Sequence, residues 1–282
     1  MFADCRNFPD FASDICSYIS ITTDKAAKIQ IISQHLVELS VAREFEIFSL
    51  VRFPKQKMEI EKENWNLKKP FKVAIEGNIG SGKSKLLEYF SRFPAVETYN
   101  EPIDVWRNVR SHNLLGLLYE DLKRWNFMFQ NYVQLTRLSI QTQGSTKPIQ
   151  MFERSVQNNR YCFVEMAHQQ GLLEDPEYDV LCEGYDWIKR NMDIQLDLTV
   201  YLKCPPEIAY ERVVQRSRPE EKTAVSLGYL TDLHHAHEQW LVQNPPAHIV
   251  TLDASVGLPA MEQQYEKVRT VVLNRIAEMT RL

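Results

Sequence analysis

The chain has 282 residues, of which 44% are apolar and 25% are charged, as in an ordinary globular protein with a substantial core. Its formal net charge of −4 argues against a nucleic-acid polymer as the main partner, because proteins that bind such polymers usually carry a basic surface. The sequence contains no apolar run of about 18 residues or more, so it predicts no membrane-spanning helix.

Residues 1–70 carry little information about function. Residues 28–51 place apolar side chains near helical spacing, whereas residues 52–70 are charged and poor in apolar side chains, as in a linker. We therefore expect a partly helical or disordered N-terminal extension of unknown role over 1–70, with Met58 as an alternative start, and one folded domain over 71–282.

The cysteines and the N-terminal charges bear on the compartment. The five cysteines are odd in number, scattered, and never form Cys-x-x-Cys, which suits reduced thiols inside a cell. Asp4, Asp10, Asp14 and Asp24 make the first residues too acidic for an ordinary mitochondrial transit peptide. We expect a cytoplasmic location, with a mitochondrial one as the alternative.

A glycine-rich loop follows the first apolar segment of the folded domain. It fits Gly-x-x-x-x-Gly-Lys-Ser/Thr, a loop that binds nucleotide phosphates through backbone N–H groups. Lys83 supplies a charge for the outer phosphates, and the Ser84 hydroxyl is placed to ligate Mg²⁺. A strand-like segment enters the loop and a helix-like segment leaves it, so we prefer this interpretation to an ordinary glycine-rich turn. The loop comprises Gly77, Asn78, Ile79, Gly80, Ser81, Gly82, Lys83 and Ser84.

Strands and helices alternate along the domain. The predicted strands are 71–76, 96–99, 148–152, 197–203 and 247–253, and the predicted helices are 83–92, 113–143, 155–170, 178–193, 205–217 and about 260–280. This alternation predicts an α/β fold, a parallel sheet with helices on both faces. Because ligands bind beyond the carboxyl ends of such strands, polar residues that follow a strand are site candidates.

Charged residues follow the second and third predicted strands. Glu101 could act as a general base opposite the phosphate loop, although on its own it is more typical of a turn. Glu153 and Arg154 close the third strand, where the guanidinium could hold a phosphate or form a structural ion pair.

Polar residues also occur where a helix would otherwise be apolar. Gln130, Val133 and Arg137 share one face of the long predicted helix, which suggests a pocket wall with donors and acceptors. Asn159 and Phe163 are spaced i, i+4 on the next predicted helix and face the same way.

Arg212, Arg216 and Arg218 form a basic run. Such a run is by default a solvated helix face, but in a protein with a phosphate loop it is equally typical of a lid over the transferring phosphates. The histidines at 234, 235 and 237 lack partnering cysteines or a His-Glu-x-x-His frame, so we do not predict a metal site there.

Together, these segments resemble the deoxyribonucleoside kinase family, and most of all its mitochondrial thymidine kinase and insect deoxynucleoside kinase branch. Matches in the family's order are far more specific than the phosphate loop alone, so they favour the functional interpretations of Glu101, Arg154 and the arginine run. The matching stretches are 77–84, 101–102, 106–107, 117–119, 129–133, 153–155, 160–165, 186–188 and 201–221.

The resemblance implies a P-loop kinase fold, with a five-stranded parallel sheet and an arginine-rich lid. It implies transfer of the ATP γ-phosphate to the 5′-hydroxyl of a deoxynucleoside in nucleotide salvage, with Mg²⁺, by a homodimer without a membrane or nucleic-acid partner.

The resemblance also implies roles for individual residues. Glu101, Arg154 and Lys83 would be catalytic, with Glu101 taking the proton from the 5′-hydroxyl, and Ser84 and Glu153 would hold Mg²⁺. The phosphate-binding residues would be the loop 77–84 with Arg212, Arg216 and Arg218. The substrate-binding residues would be Trp106, Phe129, Gln130, Val133, Arg137 and Asn159 around the base, Phe163 stacked on the base, and Tyr119 and Glu221 at the sugar 3′-hydroxyl. The adenine-contacting loop of the family would begin at residues 251–254.

The base pocket differs from that of the thymidine-accepting branch at three positions. That branch tends to have methionine where this chain has Arg137, alanine where it has Asn159, and an aromatic residue where it has Gly184. The Gln130 amide carries a donor and an acceptor and can flip, so it can pair with cytosine or thymine. Selection must then come from its surroundings. Arg137 and Asn159 would converge and fill the space that Met and Ala leave for the 5-methyl group of thymine. We therefore expect deoxycytidine to be favoured over thymidine, with purine deoxynucleosides as weaker substrates.

Two other interpretations differ in chemistry. A nucleoside monophosphate kinase would need further basic groups for the phosphate of its acceptor, and the 3′-hydroxyl pair Tyr119 and Glu221 argues against it. A non-catalytic relative of the family could lose Lys83, Glu101 or Arg154 without penalty, and all three are present.

Overall fold

The computed structural model describes residues 69–216, 218 and 225–279. The N-terminal extension expected over 1–70, except its last two residues, and the predicted sugar ligand Glu221 lie outside the described residues.

Five parallel strands form one sheet in the order β2-β3-β1-β4-β5. The strands are β1 (Phe71–Gly77), β2 (Val96–Tyr99), β3 (Ile149–Glu153), β4 (Leu198–Lys203) and β5 (Ile249–Asp253). Each predicted strand is present, with its ends shifted by two residues at most. The predicted α/β fold with a five-stranded parallel sheet is therefore confirmed.

Helices connect the strands. They are α1 (Lys83–Phe90), α2 (Ile103–Arg107), α3 (Leu114–Glu120), α4 (Leu122–Gln141), α5 (residues 156–169), α6 (Asp175–Asn191), α7 (Pro206–Arg216), α8 (Leu227–Glu238) and α9 (Leu258–Met279). The segment Asn159–Val164 within α5 and the segment Gln239–Gln243 after α8 are π-helical. No helix in the part of the chain that the structure describes is long and apolar enough to span a membrane.

The central strand is apolar because both of its faces are covered. Val73, Ala74 and Ile75 of β1 are fully buried, as expected for the middle of a parallel sheet between two layers of helices. Helix α1 packs on this sheet through Leu86 and Phe90. Since β1 lies between β3 and β4, the residues that follow β1 and β3 meet at one edge of the sheet.

Three parts of the helical prediction were wrong. The long helix expected over 113–143 is divided at Asp121, whose backbone is extended and whose carboxylate accepts a hydrogen bond from the Arg124 N–H at 3.0 Å, as a cap of α4. Helix α2, which has only five residues, and helix α8, in which histidines occupy three of the last five positions, were not predicted.

Candidate active site

The phosphate loop joins β1 to α1 in a conformation that requires glycine. Gly77, Gly80 and Gly82 have φ angles of 142°, 81° and 97°. A Cβ atom on Gly80 would lie 2.5 Å from the Ala209 carbonyl oxygen. At Gly82, by contrast, no atom of the described residues lies within 4 Å of a Cβ position. The loop thus leaves room for an anion at the N-terminus of α1, where backbone N–H groups point.

Asn78 holds this loop in place. Its side-chain amide donates to the Leu230 carbonyl at 2.8 Å, and its Oδ1 accepts from the Ile79 N–H at 2.9 Å. The Lys83 ammonium donates to the Asn78 carbonyl at 2.8 Å. Burial, together with the Arg154 charge, lowers the pKa of Lys83 to about 7. A phosphate beside this ammonium would favour its charged form.

Ser84 and Glu153 form a pair of hard oxygen donors. The Ser84 hydroxyl donates to the two Glu153 oxygens at 2.9 and 3.1 Å. Mg²⁺ commonly takes one or two carboxylates together with phosphate oxygens, so this donor set fits the ion. In the described residues, no group of three or more His, Cys, Asp and Glu side chains forms a metal site. His237 instead is buried, with Nδ1 at 2.7 Å from the Leu233 carbonyl.

Glu101 lies between two buried arginines. Arg154 Nη1 donates to its two oxygens at 3.0 and 2.9 Å, and Arg137 Nη2 donates to Oε1 at 2.5 Å. Burial alone would raise the pKa of Glu101, but the charges of Arg154, Arg137 and Lys83 outweigh it and hold the pKa well below its usual range. The carboxylate is therefore ionised at neutral pH beside the phosphate loop.

Arg154 reaches Glu101 from a strained backbone. It is a non-glycine residue with φ of 63°, a conformation that needs support from its surroundings. Its N–H donates to the Ile75 carbonyl at 3.0 Å, and its Nη2 donates to the Gly77 carbonyl at 3.3 Å. The end of β1 therefore holds both the backbone and the guanidinium of Arg154.

Arg137 has other partners than the ones expected from the sequence. It was predicted to converge with Asn159 around the base, but its guanidinium contacts Glu101, the Ser155 carbonyl and Asn158 Oδ1, the latter two at 3.4 Å. The reason is electrostatic, since a buried guanidinium is stabilised far more by the Glu101 carboxylate than by a neutral amide. Arg137 still lines the pocket.

Asn159 belongs to a chain of buried amides. Its Nδ2 donates to Gln130 Oε1 at 2.7 Å, and Gln130 Nε2 donates to Asn126 Oδ1 at 3.1 Å. These two hydrogen bonds favour one orientation of the Gln130 amide and oppose the flip expected from the sequence, by which this amide would read either pyrimidine.

Apolar and aromatic side chains form the other walls of the same pocket. Trp106 and Phe129 meet edge to face with ring centroids 5.6 Å apart, and Val133 packs with them. The Phe163 ring lies 5.0 Å from the Arg154 guanidinium, and Tyr119 completes the lining. The structure thus brings together in one pocket the predicted substrate residues that it describes, with the exception of Asn159, which is fully buried and contacts Gln130 without lining the pocket itself.

The predicted lid arginines separate into two groups. Arg216 and Arg218 line the pocket that also contains Lys83. Arg212 does not, because its guanidinium donates to the carbonyls of Ala254 and Val256, at 2.8 and 3.3 Å, in the loop after β5. The structure therefore does not place Arg212 among the phosphate-binding groups.

Three polar residues were not predicted from the sequence: two line the pocket, and the third lies outside its lining. Tyr229 lines the pocket from α8, a helix that was not predicted. Asn126 lies one turn before Gln130, and this spacing could have revealed it. Glu76 is the third, and a charged residue within an apolar strand was the signal that could have found it.

Glu76 is fully buried near the end of β1. Burial raises its pKa to about 7, although a hydrogen bond from the Ser155 hydroxyl at 2.6 Å and the charges of Arg137 and Arg154 oppose the shift. Its Oε2 atom has no hydrogen-bond partner among the described residues. Such a carboxyl group reduces stability when it ionises.

Replacing Glu76 by Gln should change how stability depends on pH. With a folded pKa of about 7 against 4.5 when unfolded, the folded state holds the extra proton between these values, so the contribution of Glu76 to stability falls as pH rises through that window. The free energy of unfolding of E76Q minus that of the unmutated chain should increase from pH 5 to pH 7 in urea titrations. A constant difference for E76Q would contradict the assignment.

Comparison with known proteins places this site in a family. The model of the deoxynucleoside kinase family matches residues 73–278. The chain is 42% identical over 205 residues to mitochondrial thymidine kinase 2 of Macaca fascicularis, covering 71% of this chain and 77% of that protein. It is 38% identical over 175 residues to a probable deoxycytidine kinase of fowlpox virus, covering 61% and 72%. It is 30% identical over 233 residues to deoxycytidine kinase of Rattus norvegicus, covering 70% and 89%.

The family match spans most of the chain and includes the loop, the carboxylate and the arginines described above. It confirms the resemblance seen in the motifs. The chain belongs to the deoxynucleoside kinase family of ATP-dependent phosphotransferases.

Proposed function

We propose that this chain transfers the γ-phosphate of ATP to the 5′-hydroxyl of a pyrimidine deoxynucleoside in nucleotide salvage. Deoxycytidine is favoured over thymidine, and purine deoxynucleosides are weaker substrates. The observation that carries this proposal is the ionised Glu101 carboxylate, buried between Arg154 and Arg137 beside the phosphate loop.

Glu101 is the proton acceptor. A 5′-hydroxyl beside the carboxylate gives its proton to a Glu101 oxygen while the hydroxyl oxygen bonds to the γ-phosphorus of ATP and the bond to ADP breaks. Arg154, which contacts both Glu101 oxygens, keeps the carboxylate oriented and faces the incoming phosphoryl group.

Positively charged groups that neutralise the negative charge of the transferring phosphoryl group are the main source of stabilisation in this chemistry. Lys83, Arg154, Arg216 and Arg218 line one pocket and supply it. Ser84 and Glu153 would hold Mg²⁺, which would supply further positive charge to offset the negative charge of the phosphates. Arg212, which contacts the loop after β5, supports the adenine side of the ATP site.

The sugar and the base occupy the pocket between α4 and α5. Tyr119, together with Glu221, binds the 3′-hydroxyl, and Phe163 stacks on the base. Gln130 pairs with the edge of the pyrimidine, and its neighbour Asn159 is larger than the alanine usual in the thymidine-accepting branch. Arg137 also lines the pocket, and its guanidinium contacts Glu101. The size of Arg137 and Asn159, compared with methionine and alanine, supports the preference for a base without a 5-methyl group.

The role of Glu101 is tested by Glu101→Gln. The amide keeps the size of the side chain but cannot accept the proton, so kcat should fall by about 10²–10⁴-fold while the affinity for the nucleoside changes little. Steady-state kinetics with deoxycytidine, combined with equilibrium binding, measures both quantities. A variant that keeps most of its turnover would exclude this role.

The base preference is tested by Arg137→Met combined with Asn159→Ala. A methyl-sized clash or a mispaired polar group changes kcat/KM by roughly 10–200-fold, so the double variant should gain thymidine use relative to deoxycytidine by an amount of that order. The ratio of kcat/KM for the two nucleosides is the measurement. If the unmutated chain already prefers thymidine, or if the ratio does not move, the proposal for this pocket fails.

A homodimer is part of the proposal. Helices α4 and α6 expose large apolar side chains next to each other: Met128, Leu135 and Trp187 are 43%, 60% and 56% exposed and line one groove, which Gly184 keeps open. An apolar face of this kind on a soluble domain marks an interaction site, and a second copy related by a two-fold axis would cover it with the same face.

Trp187→Glu tests the dimer. A charge in the centre of this face should shift the chain from dimer to monomer in light scattering coupled to size-exclusion chromatography. Val242→Glu, at a residue that is 49% exposed in the segment after α8, is the matched control and should remain dimeric. A monomeric unmutated chain, or a dimeric W187E, would contradict the assignment.

The cytoplasmic location remains part of the proposal, with mitochondria as the alternative. The free thiols of Cys162, Cys182 and Cys204 suit a reducing compartment. The Macaca fascicularis relative is by name mitochondrial, and this supports the alternative.

A further inference from the structure

A hydrogen bond between two buried side chains links β1 to the residue after Arg154. The Ser155 hydroxyl donates to Glu76 Oε1 at 2.6 Å, and these residues are only 1% and 0% exposed. The adjacent Ile75 carbonyl accepts from the Arg154 N–H at 3.0 Å. Two consecutive residues of β1 therefore hold two consecutive residues of the turn that follows β3.

This turn needs holding because Arg154 has a φ of 63°. A non-glycine residue keeps such a conformation only when the surrounding structure imposes it. If residue 155 were free to rotate, the backbone at Arg154 could relax, and the guanidinium would no longer contact Glu101.

Ser155 also acts on the second arginine. Its hydroxyl oxygen accepts from the Asn158 N–H at 3.1 Å and so caps α5, while its carbonyl accepts from Arg137 Nη1 at 3.4 Å. Asn158 Oδ1 accepts from the same Arg137 nitrogen. One serine thus sets the position of the groups that hold Arg137.

Stability does not explain why a hydrogen-bond acceptor occupies this position of an apolar strand. Glu76 Oε2 lacks a hydrogen-bond partner in the described part of the chain, and a buried, half-satisfied carboxyl group destabilises a fold. Local features that weaken a fold are expected where they serve a site.

We infer that Glu76 and Ser155 are positioning residues: their hydrogen bond clamps the turn at Arg154 so that the guanidinium groups of Arg154 and Arg137 face the Glu101 carboxylate. This inference rests on the proposed function, because it assigns the pair a role in the same phosphoryl transfer. Neither side chain touches the substrate in this assignment. Each acts through the arginines.

Ser155→Ala tests the clamp. Loss of the hydroxyl frees the turn, and because small displacements of catalytic groups can lower rates by about 100-fold, kcat for deoxycytidine should fall by roughly 10- to 100-fold. The KM for ATP should change by less than about 2-fold, since the Ser155 hydroxyl donates to Glu76 and not to the phosphate loop. A general loss of structure would instead raise both KM values and lower the melting temperature.

Two further variants make the test specific. Glu76→Gln keeps an acceptor oxygen for Ser155, so it should retain kcat within about 3-fold. Ser145→Ala removes a serine–glutamate hydrogen bond of the same kind, to Glu97 at 2.5 Å and away from the pocket, and should leave kcat unchanged.

The outcomes separate the two proposals. An unmutated chain that phosphorylates no deoxynucleoside defeats the proposed function itself. With an active chain, full turnover in Ser155→Ala, or a loss in Glu76→Gln as large as that in Ser155→Ala, overturns the clamp. A loss confined to kcat in Ser155→Ala, with retained turnover in the other two variants, supports it.

Discussion

The buried ion cluster around Glu101 is the constraint on which the rest of this site depends. A carboxylate shielded from water destabilises a protein unless cations lie close to it, and removing one partner of a buried ion pair typically costs about 3–5 kcal/mol. Arg154 and Arg137 neutralise the Glu101 carboxylate through two ion pairs. These pairs require three segments of the chain to converge: the turn after β2, the turn after β3, and helix α4. The sheet order makes this convergence possible, because β3 lies between β2 and β1.

The same cluster explains why the site contains features that weaken the fold. Arg154 has a strained backbone, Lys83 has its pKa lowered to about 7, and Glu76 has its pKa raised to about 7. Groups whose protonation is poised near neutral pH by burial and by neighbouring charges are typical of active sites. Most of the surrounding sheet is apolar and buried, so its stability offsets the local loss of stability at the site.

The sequence was most informative for functional residues that lie directly after a predicted strand. The phosphate loop, Glu101 and the Glu153–Arg154 pair were found because each directly follows a strand, and parallel strands bring their carboxyl ends together. The partner of Arg137 could not be predicted, because a long side chain can reach several groups and its choice depends on which charges the fold buries beside it. Arg212 shares a helix with Arg216, yet its guanidinium reaches the loop after β5. Glu76 was not predicted as a functional residue because the rest of its strand is mostly apolar. Tyr229 was not predicted because its helix, which contains three histidines, was not predicted either.

Phosphoryl transfer from radiolabelled ATP, with Mg²⁺, to each of the four natural deoxynucleosides and to their 5′-monophosphates tests the central claim most directly. The Glu101 cluster can accept a proton from a 5′-hydroxyl, which the monophosphates lack. We expect the label in deoxycytidine monophosphate first, then in thymidine monophosphate, with less transfer to the purine deoxynucleosides and none to the 5′-monophosphates. Transfer to the monophosphates alone, or to none of the eight acceptors, would contradict the account.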